Sequence, residues 1–404
     1  MAMDGRNNPP SPQLSSPASI ALWNFSSQWF LIPQGSGILA IILHQLDYQF
    51  RGLEIISEVV WVYTIVLLAL TVLIYLIRII KYPRHVAKLL RSRVPEVSGL
   101  ASISITFTTI IQMIALTITR DWGSSWGLVA FILWWINTAM AVIAVIGIPY
   151  IAIQLQSPNI ECLTPSLLLP LIATLTSAAG GGVICQYGEI NHRLQVPIII
   201  VSYLEMSVGL LLAVVLDGIF LAQSSSRPRE VDRYYQDMIL CGPFGQGSFA
   251  LQILGQAVGS GSFAQYARGT FLTAEAAAPV AFASQFLGLL LWGYGTFWWC
   301  FAVVRIIHAL LAQPGGLRTS SFTMSAWALV FPWGVYTNAA VQLGKIMDAP
   351  AFKVWSTVLL LVLLIIWIAN HIFTIKGLIT GRILGLEHGW KFGRYGLQDD
   401  EKHV

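Results

Sequence analysis

Charged residues are scarce in this chain. Asp, Glu, Lys and Arg make up 10% of its 404 residues, whereas hydrophobic residues make up 56%. Soluble proteins carry about 25% charged residues, so this composition excludes an ordinary soluble domain. The net charge of only +4 gives no reason to expect a nucleic-acid partner. The expected partner is instead the lipid bilayer.

Cysteine and histidine are also few, with four and seven residues respectively. Cys162, Cys185, Cys241 and Cys300 stand far apart, without a Cys-x-x-Cys pair or a histidine cluster. This spacing fits neither a disulfide framework nor a zinc site, so we expect small buried residues and no metal. No Ser-His-Asp set or paired carboxylates can be assembled either. We therefore predict no catalytic residues and no cofactor, which counts against an enzyme.

Long apolar runs fill most of the sequence. A membrane-spanning helix needs about 20 predominantly apolar residues, and backbone groups in lipid must be satisfied within the segment. Ten segments approach this length: 29–46, 59–80, 101–118, 126–153, 166–185, 196–221, 239–258, 279–311, 321–345 and 353–376. The first, third and seventh are the shortest or most polar. The predicted fold class is an all-α polytopic membrane protein with ten transmembrane helices.

Basic residues follow the even-numbered segments. They are Arg84, Lys88, Arg91 and Arg93 after the second, Arg227, Arg229 and Arg233 after the sixth, and Lys376, Arg382, Lys391 and Arg394 after the tenth. The positive-inside rule then places both termini in the cytoplasm. We predict a disordered cytoplasmic tail over 1–23, a transmembrane domain over 24–382 and a cytoplasmic C-terminal tail over 383–404.

Polar residues concentrate in the odd-numbered segments, whereas even-numbered stretches such as 357–368 are almost entirely apolar. The spacing of polar residues by three or four places them on helix faces. The candidate pore-lining residues are Gln34, Ser36, Thr106, Thr109, Thr174, Ser177, Ser248, Gln252, Thr337 and Asn338. A lone hydroxyl usually bonds to its own backbone. However, the third, fifth, seventh and ninth segments each carry a stripe of polar residues, and four stripes on alternate segments favour an inner ring of odd-numbered helices around a central pore. For Gly35 and Gly37 the alternative is ordinary helix packing.

Ionisable residues inside the segments are few. Asp217, Arg305 and His308 lie near segment ends and are expected to extend to the interface. Glu205 lies well inside the sixth segment, as a candidate proton-coupling group or a neutral packing residue. No odd-numbered segment has a central Arg or Lys. A pore of hydroxyls, amides and helix dipoles would bind anions weakly, which favours rapid passage.

Several segments together resemble the tellurite-resistance/dicarboxylate transporter family, which includes fungal sulfite efflux pumps, malic acid permeases and plant slow anion channels. The similar pieces are 29–37, 163–170 followed by 178–181, 241–248 (Cys-Gly-Pro-Phe-Gly-Gln-Gly-Ser), 292–299 and 327–337 (Trp-Ala-Leu-Val-Phe-Pro-Trp-Gly-Val-Tyr-Thr). The piece at 241–248 resembles the sulfite-pump branch. Two departures are Gln34, where an apolar residue is more usual, and the lack of a proline near Thr106.

This resemblance implies ten helices arranged as five hairpins around a pore, commonly in a homotrimer. It also implies that Phe331, at the position of the family's pore-plugging phenylalanine, is the gate; the alternative is a packing aromatic before a proline. The function favoured on this basis is sulfite efflux across the plasma membrane. The alternatives are transport of a C4-dicarboxylate such as malate or of another organic acid, with or without coupling to protons. A receptor is disfavoured by the number of segments.

Overall fold

The computed structural model describes residues 16–156, 163–224, 234–312, 322–386 and 389–390. Within these ranges the chain is helical almost throughout, and the only β-structure is an isolated bridge between Arg268 and Leu272. The all-α prediction is therefore confirmed. Several residues discussed above lie outside the described ranges: Cys162, Arg227, Arg229, Arg233, Lys391 and Arg394.

The α-helices are numbered in chain order. They are α1 (Pro17–Asn24), α2 (Leu31–Gln45), α3 (Leu53–Lys81), α4 (Pro83–Ser92), α5 (Val94–Ser98), α6 (Ala101–Met113), α7 (Thr119–Trp122), α8 (Ser125–Ile151), α9 (Leu169–Tyr187), α10 (His192–Ser224), α11 (Gly242–Ala257), α12 (Phe263–Tyr266), α13 (Ala274–Ala312), α14 (Val330–Ile346) and α15 (Pro350–Thr380). Turns of 3-10 helix lead into four of them, at Ser27–Phe30, Pro165–Leu168, Tyr235–Cys241 and Met324–Leu329.

In the described ranges, seven helical stretches are long and apolar enough to cross a membrane. They are Leu53–Lys81, Val94–Trp122, Ser125–Gln156, Pro165–Tyr187, His192–Gln223, Ala274–Leu311 and Pro350–Thr380. The predicted spans at 29–46, 239–258 and 321–345 contain the shorter helices α2, α11 and α14, of 15, 16 and 17 residues. The chain is a membrane protein with seven helices of spanning length, and the full set of ten stays a prediction.

Burial separates two sets of helices. In the central parts of Val94–Trp122 and Pro165–Tyr187, 83% and 100% of the residues are buried, whereas the other five long helices have 17–39% buried. Helices α2, α11 and α14 are also buried over nearly their whole length. The polar segments therefore lie inside the protein, and the apolar ones present most of their side chains outward, where lipid solvates them.

The buried helices contact one another in a closed cycle. Contacts run from α2 to α6, then to α9, α11 and α14, and from α14 back to α2. We call these five the ring helices. Each also packs against the long exposed helix that follows it, in the pairs α2–α3, α6–α8, α9–α10, α11–α13 and α14–α15. We call α3, α8, α10, α13 and α15 the outer helices.

Glycine sits at each interface of the ring. A Cβ atom added to Gly35 or Gly334 would lie within 3 Å of side-chain atoms across the α2–α14 contact, and one added to Gly245 would lie 2.8 Å from the backbone of Tyr336. The remaining interfaces have the same feature, with Gly37 facing Thr109, Gly180 facing Thr108, and Gly182 facing Ile253. Small residues allow helix backbones to approach closely, so packing accounts for Gly35 and Gly37.

A short helix lies at the end of the predicted N-terminal tail, and the extent of the tail stays a prediction. Residues 1–15 lie outside the described part of the chain, but α1 overlaps the predicted tail at Pro17–Asn24. Ser16 caps this helix, because its side chain accepts a hydrogen bond from the Ser19 backbone N–H, and Pro17 occupies the favoured first helical position. Asn24 then donates to the Leu384 carbonyl at 3.0 Å, which joins the two ends of the described chain.

Candidate functional site

A narrow cavity lies at the N-terminal end of the ring. Its volume is about 20 Å³. We call each ring helix, together with the 3-10 turn or short helix just before it, a ring segment; two residues from the start of each of the five ring segments line the cavity. These residues are Gln28, Leu31, Pro95, Gly99, Ser166, Leu169, Gln236, Ile239, Ser325 and Ala328. We call this cavity the vestibule. All five segments therefore begin at the same end of the ring.

The shared direction of the ring helices gives the vestibule its electrostatic character. An α-helix carries about half a positive charge at its N-terminus, from N–H groups that lack a partner within the helix. With the N-terminal ends of the ring segments around one cavity, these partial charges add. The vestibule is therefore favourable for an anion even though no lysine or arginine lines it.

Each ring helix continues from the vestibule into the interior of the ring. Residues three, four or seven apart lie on one helix face. Gln34 follows Leu31 by three positions, and Phe331 follows Ala328 by three. We call the faces that continue from the vestibule the inner faces of the ring helices. Phe331 is 1% exposed, one helical turn beyond the vestibule.

Carboxamide groups on the ring helices include atoms that no described protein atom satisfies. The buried side-chain atoms without a hydrogen-bond partner in the described chain include Gln34 Oε1, Gln112 Nε2, Gln246 Oε1, Asn338 Oδ1 and Nδ2, and Gln342 Oε1. Buried polar groups are normally paired, and leaving one unpaired costs about 1–3 kcal/mol. Gln246 lies seven residues after Ile239, and Asn338 lies seven after Phe331, so both continue an inner face. These groups are available to water or a solute.

Three of the predicted pore-lining residues point instead toward the outer helices. Ser36 accepts a hydrogen bond from Trp367 Nε1 on α15 at 3.1 Å. The Ser177 hydroxyl lies 3.0 Å from that of Thr138 on α8. Ser248 donates to the Gly288 carbonyl on α13 at 2.6 Å. These contacts join each ring helix to an outer neighbour.

Further predicted residues lie on the same outward side. Gln252 donates to Ser248 Oγ at 2.8 Å and packs against Gly288. Thr174 packs against Gly209 of α10. Thr337 donates to the Trp333 carbonyl. The Trp333 indole N–H in turn donates to the Leu359 carbonyl on α15.

The remaining hydroxyls of the prediction lie on α6. Thr106 donates to the Ser102 carbonyl and Thr109 donates to the Thr106 carbonyl, each at 2.7 Å. Thr106 follows the vestibule residue Gly99 by seven positions, so it continues an inner face, while Thr109 contacts Gly37 across the α2–α6 interface. Of the ten candidates, Gln34, Thr106 and Asn338 thus lie on the inner faces, together with Phe331.

Glu205 lies outside the ring interior. It is buried at 4% exposure on α10, and its carboxyl group is next to the hydroxyls of Ser177 and Thr138. Those hydroxyls belong to α9 and α8. The side chain therefore occupies the junction of three helices, and proton coupling by Glu205 stays a prediction.

An ion pair fastens the N-terminal end of the ring. Arg78 at the end of α3 donates to Glu96 Oε1 at 2.6 Å, and both side chains are almost fully buried. Tyr75 donates to the same oxygen at 3.2 Å. The Ser27 backbone N–H donates to Glu96 Oε2 at 3.2 Å, and the Ser27 hydroxyl donates to the Glu96 carbonyl. We call this group the Arg78–Glu96 clamp; it joins the start of the α2 segment, the end of α3 and the start of the α6 segment.

The prediction that Asp217 and Arg305 extend to the interface is wrong. Asp217 has no exposed surface and lies beside Trp298. Arg305 pairs with Asp237, itself fully buried, at 2.9 Å. For Arg305 the physical reason is that a protein partner at this depth replaces the water that the side chain would otherwise seek. Only His308 of the three is exposed.

The cysteines follow the prediction in part. Cys185 and Cys241 are buried, whereas Cys300 is exposed. Because α13 is an outer helix, its exposed side chains face the surface rather than the ring. The expectation of a small buried residue is therefore wrong for Cys300.

Buried carboxamides of the ring helices that were absent from the sequence-based candidates include Gln112, Gln246 and Gln342. Gln342 Nε2 donates to Gln256 Oε1 at 2.6 Å, which joins α14 to α11. The available signal was the residue type itself. A carboxamide is harder to satisfy from its own backbone than a hydroxyl, so buried glutamine was a better guide to the interior than serine or threonine.

Comparison with known proteins identifies relatives over most of the chain. Residues 24–375 match the family described as "Voltage-dependent anion channel". The sulfite efflux pump SSU1 of Arthroderma benhamiae is 28% identical over 364 residues, which cover 88% of this chain and 91% of that protein. The malic acid transport protein of Schizosaccharomyces pombe is 23% identical over 356 residues, covering 87% and 78% respectively. An uncharacterized transporter of Methanocaldococcus jannaschii is 22% identical over 368 residues, covering 89% and 96%.

Proposed function

The chain belongs to the voltage-dependent anion channel family, and we propose that it moves sulfite out of the cell along the axis of the ring helices. The observation that carries this proposal is the set of buried carboxamides with unpaired atoms in a closed cycle of helices, among which Gln112 Nε2 and Asn338 Nδ2 are unpaired N–H donors. Amide N–H groups donate hydrogen bonds to an anion without holding it as tightly as a fixed cation would. Such an interior allows an anion to enter and also to leave.

The proposed architecture is ten membrane-spanning helices in five hairpins, each formed by one ring helix and the outer helix after it. The cyclic and pairwise contacts described above support it. By the positive-inside rule both termini are cytoplasmic, which orients the vestibule toward the cytoplasm. The plasma membrane is the proposed location, and a homotrimer is the proposed assembly on the basis of the family resemblance.

Phe331 is the proposed gate. Its buried ring lies one turn beyond the vestibule, on the face that continues to Asn338. An aromatic ring in a narrow interior blocks the passage of ions until it rotates. Because a displaced side chain leaves its preferred rotamer at a cost of about 1 kcal/mol, the ring returns to the blocking position when the anion has passed.

Sulfite is favoured over malate as the substrate. The vestibule lining and the inner-face carboxamides are uncharged, and the malate dianion would gain more from a fixed cation than bisulfite, the monoanion that sulfite forms on protonation. The similarity to the sulfite efflux pump of Arthroderma benhamiae, at 28% identity, supports the same choice. Malate remains the alternative because of the similarity to the malic acid transport protein.

The test is anion flux into proteoliposomes for wild type, Phe331→Ala and a control, Phe286→Ala. Phe286 is 60% exposed on the outer helix α13, so its loss leaves the interior intact. We expect sulfite flux to rise roughly fivefold in Phe331→Ala, the rate equivalent of about 1 kcal/mol. Phe286→Ala is expected to match wild type.

Other outcomes separate the parts of the proposal. Equal sulfite flux in all three proteins would remove the gate while keeping the substrate. Flux of malate alone, and only under a proton gradient, would refute the sulfite assignment and make Glu205→Gln the next variant. Lack of flux for both anions in wild type and Phe331→Ala would refute anion conduction through the ring.

A further inference from the structure

A larger cavity adjoins the vestibule. Its volume is about 550 Å³, and Gln28 and Pro95 line both cavities. The Thr164 hydroxyl in its wall lies 2.7 Å from the Ser166 hydroxyl in the vestibule. We call it the antechamber. The exposed residues Ser92 and Arg93 are also part of its wall, so the antechamber connects the solvent to the vestibule.

The antechamber wall contains two charged residues, Arg93 and Glu96. The Glu96 carboxylate is already neutralised, since Arg78 lies 2.6 Å away and Ser27 N–H bonds to its second oxygen. Arg93 is exposed, and in the described parts of the chain no carboxylate forms an ion pair with it. The wall therefore carries one positive charge in excess.

His85 on α4 lies close to the same charged residues. Burial is the main cause that lowers the pKa of His85; Arg78 and Arg93 lower it as well, whereas Glu96 and a hydrogen bond with the Trp23 backbone raise it. The imidazole is thereby favoured in its neutral form near pH 7, so His85 adds no charge beside Arg93.

We propose that the antechamber is a loading site for a small oxyanion, held by Arg93 before it enters the vestibule. The planar guanidinium presents paired N–H donors that match two oxygens of one oxyanion. Neutral donors complete the wall, namely Ser26, Gln28 and Thr164. The site deepens the proposed function, on which it rests, by naming where the anion is first captured.

The experiment measures sulfite binding to the purified full-length protein and, separately, the sulfite dependence of flux. The variants are Arg93→Gln, Arg93→Lys and the control Arg91→Gln. Arg91 is an exposed arginine of α4 that does not line the antechamber, so the control removes the same charge nearby. A hydrogen bond to a charged group contributes about a tenfold factor in affinity.

We expect Arg93→Gln to bind sulfite about tenfold more weakly than wild type, Arg93→Lys to lie between them, and Arg91→Gln to match wild type. The half-saturating sulfite concentration for flux is expected to rise in the same proportion, with the maximal flux retained. Equal affinities for Arg93→Gln and Arg91→Gln would overturn the loading site.

The two proposals fail in different ways. Binding that depends on Arg93 in a protein that conducts no anion would refute the transport function and leave the loading site standing. Sulfite flux with a half-saturating concentration unchanged by Arg93→Gln would refute the loading site and leave the transport function standing.

Discussion

The two faces of the ring helices bury polar groups in different ways. Toward the outer helices, hydroxyls such as those of Ser248 and Ser177 have protein partners within hydrogen-bond distance. Toward the interior, Gln246 and Asn338 have polar atoms that nothing in the described chain pairs with. Polarity in a membrane helix thus serves assembly where it is paired. It is available for a solute where it is unpaired.

The largest effect is expected where a paired group carries full charge, in the Arg78–Glu96 clamp. Arg78→Ala leaves the Glu96 carboxylate buried without its partner, and breaking a buried ion pair in this way costs about 3–5 kcal/mol. We expect a large loss of thermal stability in detergent. The matched control is Arg120→Ala, whose ion pairs with Glu54 and Asp121 are exposed and contribute at most about 1 kcal/mol. Equal losses in the two variants would contradict the importance of the clamp.

The next effect compares the two faces on a single helix. Gln246 and Gln252 of α11 both have an unpaired Oε1, but only the Gln252 amide N–H donates to protein atoms, namely Ser248 Oγ and the Ala339 carbonyl. Gln252→Leu therefore removes hydrogen bonds within the protein, whereas Gln246→Leu removes an amide of the inner face. We expect sulfite flux to fall about tenfold in Gln246→Leu, because the side-chain N–H group that would donate a hydrogen bond to the passing anion is lost. Stability should be retained, since Gln246 Oε1 has no protein partner. The measurement is flux and thermal stability for both variants.

Gln252→Leu is expected to give the opposite pattern, with flux near that of wild type and reduced stability. If the flux of Gln252→Leu fell as far as that of Gln246→Leu, the assignment of inner and outer faces would be wrong. Leucine suits this comparison because it is close to glutamine in size and has no hydrogen-bonding group.

The smallest effect is expected from one outward hydroxyl. Ser248→Ala removes the hydrogen bond to the Gly288 carbonyl, made at 2.6 Å between α11 and α13, and the acceptor of the Gln252 amide. A hydrogen bond of this kind contributes about 1 kcal/mol. We expect a small decrease in thermal stability and unchanged flux, measured against Ser207→Ala on the exposed side of α10, whose hydroxyl bonds within its own helix.

Helix content and burial were predictable from composition. Runs such as 357–368, whose only polar side-chain groups are the Thr357 hydroxyl and the Trp367 indole N–H, favour lipid, and the corresponding helix α15 is largely exposed. The seven helices of spanning length were also foreseeable from segment length. For α2, α11 and α14 the apolar segments are longer than the α-helices, because 3-10 turns occupy their N-terminal ends.

The face of each polar residue was harder to predict. Thr174 and Thr176 lie two positions apart on α9, and only the contact with Gly209 shows that Thr174 points outward. Sequence spacing identifies which residues share a face but not which neighbour that face meets. The Arg78–Glu96 clamp was unpredictable for a related reason, since its members come from the end of α3 and the start of the α6 segment.

The glycines at the ring interfaces have a mechanical consequence. Gly245 brings α11 against the backbone of α14, and Gly35 and Gly334 bring α2 and α14 together. Side-chain layers between helices can be compressed or stretched, but backbones already in contact leave little slack. Lateral tension in the bilayer opens some channels by drawing helices apart, and we expect it to change the spacing of the ring helices little. Backbone contacts therefore set the width of the ring interior, and under the proposed function passage of an anion would depend on the rotation of individual side chains.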